Sequence, residues 1–111
     1  MQISIGKLDN QVAVVVPEGR LDLASAPQFK QELSETVADG FWMIVVDLSN
    51  VPFVDSSGLG ALISGMKTTR LAGGNLRIAY VGTQARMIFE LTNLNKVMKL
   101  YDTVEEALIE Y

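Results

Sequence analysis

Residues 43–46 read MIVV, and this run limits how the chain can fold more than any other feature. It has the length of a β-strand, and successive side chains of a strand point to opposite faces of the sheet. A strand with no polar position must therefore be covered by other elements on both faces. Only Asp47 interrupts the apolar stretch before Leu48. We predict a strand here that is packed on both sides.

Further strand patterns lie before and after this run. Residues 2–6 alternate between polar and apolar side chains, and residues 12–16 are mostly β-branched and end at Pro17. This spacing predicts an opening pair of strands. Residues 76–81 predict another strand, which Arg77 interrupts, and residues 98–100 predict a short last one.

Four segments show the apolar spacing of helices. In the first, Phe29, Leu33 and Val37 recur every four residues and Gly40 ends the pattern. The second covers about residues 57–71. The predicted N-terminal caps are Ser25, one serine of the pair Ser56-Ser57, Thr83, and Asp102 with Glu105 three positions later. Strands that alternate with helices in this way predict one α/β domain over residues 1–111, with a central mixed sheet and right-handed crossovers.

The composition excludes several classes of function. The chain has no cysteine and no histidine, which removes thiolate metal sites and the Ser-His-Asp triad. A net charge of −4, with nine Lys and Arg residues spread along the chain, argues against binding to nucleic acid or to an anionic membrane. The N-terminus does not resemble a signal peptide, and no apolar stretch approaches the roughly 20 residues that span a bilayer. We therefore expect a cytoplasmic protein.

The stretch VDSSGLG at residues 54–60 stands where a strand should pass into a helix. One of its two serines would cap the helix, which leaves the other unexplained. Gly58, Gly60 and Gly65 all lie within the helical pattern, where each costs about 1 kcal/mol relative to alanine. Glycines at such a cost indicate that another chain or a tightly packed sheet comes close to the helix backbone.

Several kinds of chemistry can be tested against this stretch. It has neither the preceding glycine nor the histidine of a serine-hydrolase elbow, and no lysine at the position of a Walker loop. A weak anion or nucleotide site built from helix N–H groups stays open. A Mg²⁺ site built from Asp22, Asp47 and Asp55 is conceivable, although such carboxylates more often form caps and turns. We expect no metal and no cofactor.

A serine that another enzyme phosphorylates fits the stretch best. Phosphoserine carries about −1.5 to −2 charges, and the positive end of a helix dipole favours such a group by roughly 0.3–1 kcal/mol. Modification should therefore leave the fold intact. It should disturb whatever docks there, because burial of a doubly charged group without a cationic partner is costly.

Three segments together resemble the STAS domain of bacterial anti-sigma-factor antagonists. VVDLSNVPFVDSSGLGALI at residues 45–63 is similar to the phosphoacceptor region of that family. EGRLDLASAP at residues 18–27 resembles its Gly-x-Leu-Asp loop, and LTNLNKVMKLYDTVEEAL at residues 91–108 resembles its closing strand and helix. The resemblance extends over nearly the whole chain in the right order.

The resemblance implies an α/β fold with a four- to five-stranded mixed sheet and about four helices packed mainly on one face. It also implies partner switching without enzymatic activity. The unphosphorylated antagonist would bind a serine kinase that is also the anti-sigma factor, and a serine phosphatase would reverse the modification. Carried onto this sequence, the phosphoacceptor is Ser56, and the residues beside it that would contact the partner are Asp22, Asp55, Ser57, Gly58 and Leu59. A nucleotide-binding module and a scaffold subunit of a signalling assembly are the alternatives.

Overall fold

The computed structural model describes residues 1–109 and 111 and shows a five-stranded sheet with four α-helices. The strands are β1 (Gln2–Lys7), β2 (Val12–Glu18), β3 (Met43–Asp47), β4 (Asn75–Ala79) and β5 (Leu100–Tyr101). The helices are α1 (Ala26–Ala38), α2 (Ser56–Leu71), α3 (Thr83–Leu91) and α4 (Val104–Leu108), with a 3₁₀ turn over Leu94–Lys96. In the described part of the chain, no helix is long and apolar enough to cross a membrane.

The strands lie in the sheet in the same order as in the chain. β1 pairs with β2 antiparallel, and each following neighbour pairs parallel. Because right-handed crossovers that all step in one direction keep their helices on one side, α1, α2 and α3 share a face of the sheet. The predicted mixed sheet, with its helices mainly on one face, is confirmed.

β3 is buried on both faces, as its sequence predicts. Ile44 and Val46 belong to the main core, which the helices α1 to α3 cover. Val45 points the other way and packs with Ala79 and Ala107 in a smaller cluster beneath α4. The side chains of Ile44, Val45 and Val46 are all fully shielded from solvent. The short last helix is therefore the second covering layer that the run at residues 43–46 requires.

Arg77, the polar interruption in β4, holds the C-terminal segment on this second face. Its Nη1 donates to the carbonyl oxygens of Ala107 and Ile109, at 2.8 Å each. The guanidinium also lies 4.0 Å from the centre of the Tyr111 ring. A cation stacked on an aromatic ring and bonded to two carbonyls stabilises the end of α4 against the sheet.

Tyr111 completes this contact at the amino ends of the interior strands β3 and β4. Its hydroxyl lies 2.8 Å from the carbonyl oxygen of Ile44 and 2.7 Å from that of Asn75. Burial raises the pKa of the phenol above its ordinary value, which keeps the hydroxyl protonated as a donor.

The predicted helix caps are only partly right, although the helices exist. Ser25 does occupy the N-cap position of α1, but its hydroxyl forms no cap bond and donates to the carbonyl of Arg20 at 2.7 Å. α3 begins at Thr83, after Gly82, and has no side-chain cap. At α4 the cap is Thr103, whose hydroxyl accepts from the N–H of Glu106 at 3.1 Å, in place of Asp102. Each error is a shift of one residue or a competing local hydrogen bond, which apolar spacing does not resolve.

Replacing Tyr111 with phenylalanine tests the C-terminal contact. Tyr111→Phe keeps the ring and removes the hydroxyl, so we expect the free energy of unfolding to fall by about 1 kcal/mol, measured by urea denaturation. Tyr80→Phe is the matched control, because Tyr80 is exposed and its hydroxyl bonds to none of the described residues. Equal stability of Tyr111→Phe and the control would show that the hydroxyl bonds do not hold α4 down.

Candidate functional site

The loops that follow β2 and β3 join into one unit at the carboxyl end of the sheet. Leu21 and Val54 form an isolated parallel bridge beyond the ends of the two strands. The N–H of Leu21 donates to the carbonyl of Phe53 at 2.9 Å, and the N–H of Asp55 donates to the carbonyl of Leu21 at 3.2 Å. This bridge brings the loop of Asp22 beside Asp55, as the resemblance implies for the acidic positions.

Asp55 caps α2 and ties the two loops together. Its Oδ1 accepts from the N–H of Gly58 at 2.9 Å, and its Oδ2 accepts from the N–H of Leu23 at 3.2 Å. The prediction that one serine of the pair caps the helix is therefore wrong. An aspartate directly before the first helical residue satisfies the same N–H group and adds a favourable charge at the helix start.

Asp22 holds the loop before α1 in a similar way. Its Oδ1 accepts from the N–H groups of Ala24 at 3.1 Å and Ser25 at 3.3 Å. Its Oδ2 lies 3.6 Å from Nε of Arg20, whose guanidinium lies 4.1 Å from the centre of the Phe53 ring. Both predicted acidic residues thus shape the backbone near Ser56, while each side chain keeps part of its surface in solvent.

Ser56 is the first residue of α2 and is exposed. Its hydroxyl forms no hydrogen bond with any residue that the structure describes, and the same is true of the half-buried Ser57. Neither serine is needed as a cap, since Asp55 fills that role. The Ser56 side chain is therefore available for chemistry that the fold does not require.

The three glycines of α2 differ in what surrounds them. A Cβ at Gly58 would overlap the carbonyl oxygen of Leu21, and a Cβ at Gly65 would lie 2.5 Å from Cδ1 of Leu33. Close packing therefore accounts for these two residues. A Cβ at Gly60 would meet nothing within 4 Å, and Gly60 is exposed. Of the three glycines in α2, Gly60 is the one whose missing side chain is not explained by packing within the domain.

Gly60 opens onto a shallow groove of about 320 Å³ between α1 and α2. Leu23 lies at the rim of this groove with 75% of its surface exposed, although its N–H is held by Asp55. Lys30 brings a positive charge to the groove from a distant part of the chain. The groove is lined by Leu23, Ala26, Pro27, Lys30, Ser57, Gly60 and Ala61.

Not every residue that the resemblance implies as a contact presents its side chain at the surface. Leu59 is only 4% exposed and belongs to the main core, and Gly58 is buried against Leu21. The accessible part of this site includes Ser56, Ser57 and Gly60, together with Leu23 and Lys30 at the groove and the partly exposed carboxylates of Asp22 and Asp55. Leu23 and Lys30 could not be predicted from the sequence, because only the packing of α1 against α2 places them in the groove with Ser57.

The carboxylates considered as magnesium ligands are engaged with the backbone. Oδ1 of Asp47 accepts from the N–H of Ser49 at 2.8 Å, and Asp22 and Asp55 accept from the N–H groups given above. Within residues 1–109 and 111, no group of three or more Asp or Glu side chains is placed to hold a metal ion. These three residues form turns and caps.

Sequence reasoning also misses Gln84 in the first turn of α3. Its Nε2 donates to the carbonyl of Val54 at 2.8 Å, and its Oε1 accepts from the N–H of Val54 at 2.9 Å. The two residues are 30 positions apart, so no local pattern signals the contact.

Comparison with known proteins supplies the family. The model of the STAS domain family matches residues 7–107. The chain belongs to the STAS domain family. Among curated relatives of this STAS domain is the anti-sigma-F factor antagonist RsfB of Mycobacterium tuberculosis, 34% identical over 101 residues, which are 89% of this chain and 80% of RsfB.

Solved structures agree with this assignment. A Thermotoga maritima protein described as a candidate anti-sigma factor antagonist has a crystal structure that superposes with a TM-score of 0.91 at 28% identity, over 97% of this chain and 92% of that one. SpoIIAA of Bacillus in its phosphorylated form superposes with a TM-score of 0.75 at 21% identity, over 96% of each chain. The likeness to SpoIIAA concerns the fold.

Two alanine substitutions in α2 test the different roles of its glycines. Gly58→Ala should lower the free energy of unfolding by about 1–3 kcal/mol, because the new methyl group overlaps the Leu21 carbonyl. Gly60→Ala should raise it by up to about 1 kcal/mol, because alanine favours the helix and nothing obstructs its Cβ. Thermal and urea unfolding measure both. A loss of stability in Gly60→Ala would mean that the fold itself requires this glycine.

Proposed function

We propose that this STAS domain is an anti-sigma factor antagonist that works by partner switching. In its unphosphorylated form it binds a serine kinase that is also an anti-sigma factor, and the sigma factor is released. Phosphorylation of Ser56 abolishes this binding, and a serine phosphatase restores it. In this proposal the domain itself catalyses no reaction, and it acts in the cytoplasm.

The observation that carries the proposal is the exposed Ser56 hydroxyl, which the domain holds in place but does not use. Asp55 provides the cap, Gly58 allows α2 to lie close to Leu21, and the Ser56 side chain points to solvent at the helix start. A kinase needs such an accessible hydroxyl on an ordered backbone. The name of the relative RsfB, an anti-sigma-F factor antagonist, supports the proposal that this domain is also an antagonist.

The charges around Ser56 explain why phosphorylation would act on the partner and leave the fold intact. The phosphate would sit at the positive end of α2, which offsets part of its repulsion from Asp55. Lys30 lines the groove with Ser57, and Arg20 is paired with Asp22 in the neighbouring loop. A partner that packs over Ser56 would have to desolvate a doubly charged group, which weakens its binding.

The partner surface we propose combines the groove with the loops beside it. Ser57 and Gly60 belong to the groove, where the absence of a side chain at Gly60 lets a partner approach the α2 backbone. Asp22 and Asp55 present partly exposed carboxylates to a partner with a complementary positive charge. Gly58 and Leu59 contribute by anchoring the start of α2 in the core.

A nucleotide or anion site at the same helix start has less support. The Asp55 carboxylate already accepts from the Gly58 N–H, and it would repel a second anion. The N–H groups of Ser56 and Ser57, in the first turn, are the ones left for such a ligand.

Substitutions at Ser56 test the switch. Ser56→Ala should bind the anti-sigma kinase of the same organism as the wild type does, and Ser56→Asp should bind about tenfold more weakly or worse, because the partner must bury its charge. Calorimetry measures both affinities, and the melting temperatures should stay close to that of the wild type. Ser4→Ala serves as the control for loss of an exposed hydroxyl, because Ser4 lies on β1 outside the groove. Equal affinities for Ser56→Ala and Ser56→Asp would refute the switch.

The position of the phosphate separates the two serines. Incubation with the kinase and ATP, followed by peptide mass spectrometry, should place one phosphate on Ser56, which is exposed, and none on the half-buried Ser57. Ser56→Ala should then remain unmodified, while Ser57→Ala should be phosphorylated. Phosphate on Ser57 would transfer the acceptor role to that residue.

A further inference from the structure

Val54 lies one residue before the cap of α2, and the stretch of backbone around it forms hydrogen bonds on two sides. On the β2 side, the bridge with Leu21 uses the carbonyl of Phe53 and the N–H of Asp55. In a parallel ladder, the N–H and carbonyl of the bridged residue itself point to the opposite neighbour. For Val54 that neighbour would be β4, but β4 ends at Ala79.

The side chain of Gln84 takes the place of the missing strand. Its amide donates to the Val54 carbonyl and accepts from the Val54 N–H, at 2.8 and 2.9 Å, and so reproduces both bonds of a ladder. Val54 is fully buried, so these two backbone groups would otherwise lack a partner away from water. The contact is therefore much more costly to lose than an exposed side-chain hydrogen bond.

Gln84 is itself held on a rigid element. The next residue, Ala85, is 4% exposed, and Phe89 one turn later is fully buried in the main core. The position of α3 is thus transmitted through one side chain to the backbone that leads into Asp55 and Ser56.

We propose that Gln84 is a positioning residue for the phosphorylation of Ser56 and that it acts through the backbone of Val54. This inference rests on the proposed function and adds α3 to the elements that control the acceptor. Without Gln84, the loop before α2 opens more often, the Asp55 cap loosens with it, and Ser56 spends less time in the geometry that the kinase requires.

Two substitutions distinguish hydrogen bonding from packing. Gln84→Glu keeps the size and shape of the side chain but replaces the donor by a carboxylate oxygen that faces the Val54 carbonyl. Gln84→Ala removes the whole side chain. Gln31→Ala is the matched control, because among the described residues the Gln31 amide bonds only to the exposed Glu35 side chain on α1.

Amide hydrogen exchange measured by NMR gives a readout that needs no kinase. At pH 7, Gln84→Ala should speed exchange at Val54, Asp55 and Gly58 by about tenfold or more, as expected for the loss of two hydrogen bonds. Gln84→Glu should speed exchange at Asp55 and Gly58, because its carboxylate faces the Val54 carbonyl, although it can still accept from the Val54 N–H. Exchange at Ile44 and Val46 in the centre of β3 should change much less. Wild-type exchange at Val54 in Gln84→Ala would overturn the proposal, and so would equal acceleration at every amide, which indicates general destabilisation.

Phosphorylation kinetics with the anti-sigma kinase form the second arm. Both Gln84 variants should lower kcat/KM for Ser56 by about tenfold, in proportion to the opening of the loop, and Gln31→Ala should match the wild type. If the wild type is not phosphorylated at all, the proposed function fails, and exchange still decides whether Gln84 holds the loop. If the wild type and Gln84→Glu are phosphorylated at the same rate, the positioning role fails while the switch stands.

Discussion

Strand β3 is buried on both faces, and this constraint organises the rest of the domain. Ile44 and Val46 require the layer of α1, α2 and α3, while Val45 requires α4 on the opposite side. Because a helix of only five residues has little stability of its own, Arg77 and Tyr111 hold it on the sheet through hydrogen bonds to backbone carbonyls. The chain continues from this strand into the loop before α2, so the candidate site is attached directly to the buried centre of the sheet.

At the carboxyl end of this sheet, side chains replace the regular ladder. Asp55 satisfies the start of α2, Asp22 satisfies the turn before α1, and Gln84 satisfies the backbone of Val54. These backbone groups at the ends of the strands thus have partners, as the low dielectric of the interior requires. The Ser56 hydroxyl stands outside this network. A charge placed on it is therefore felt mainly by a molecule that docks from outside.

Much of the fold could be predicted because its signals are local. The apolar run of β3, the β-branched residues of β2 and the stripe through Phe29 and Leu33 specify their elements by periodicity, and each prediction is confirmed. The caps could not be predicted to the residue. Ser25, for example, bonds to the Arg20 carbonyl, and Asp55 takes the cap that the serine pair was expected to supply. Such competition depends on geometry over one or two residues.

The amino-acid sequence by itself determined the alternation of strands and helices, the exclusion of histidine and cysteine chemistry, and the family to which its motifs belong. Only the tertiary structure decided which glycine of α2 packs against no neighbour. It also brings Gln84 to Val54, and Lys30 to the groove that Ser57 lines. The physical reason is distance along the chain. Local propensities extend over a few residues, whereas contacts between separate βα units arise only when the sheet places them side by side.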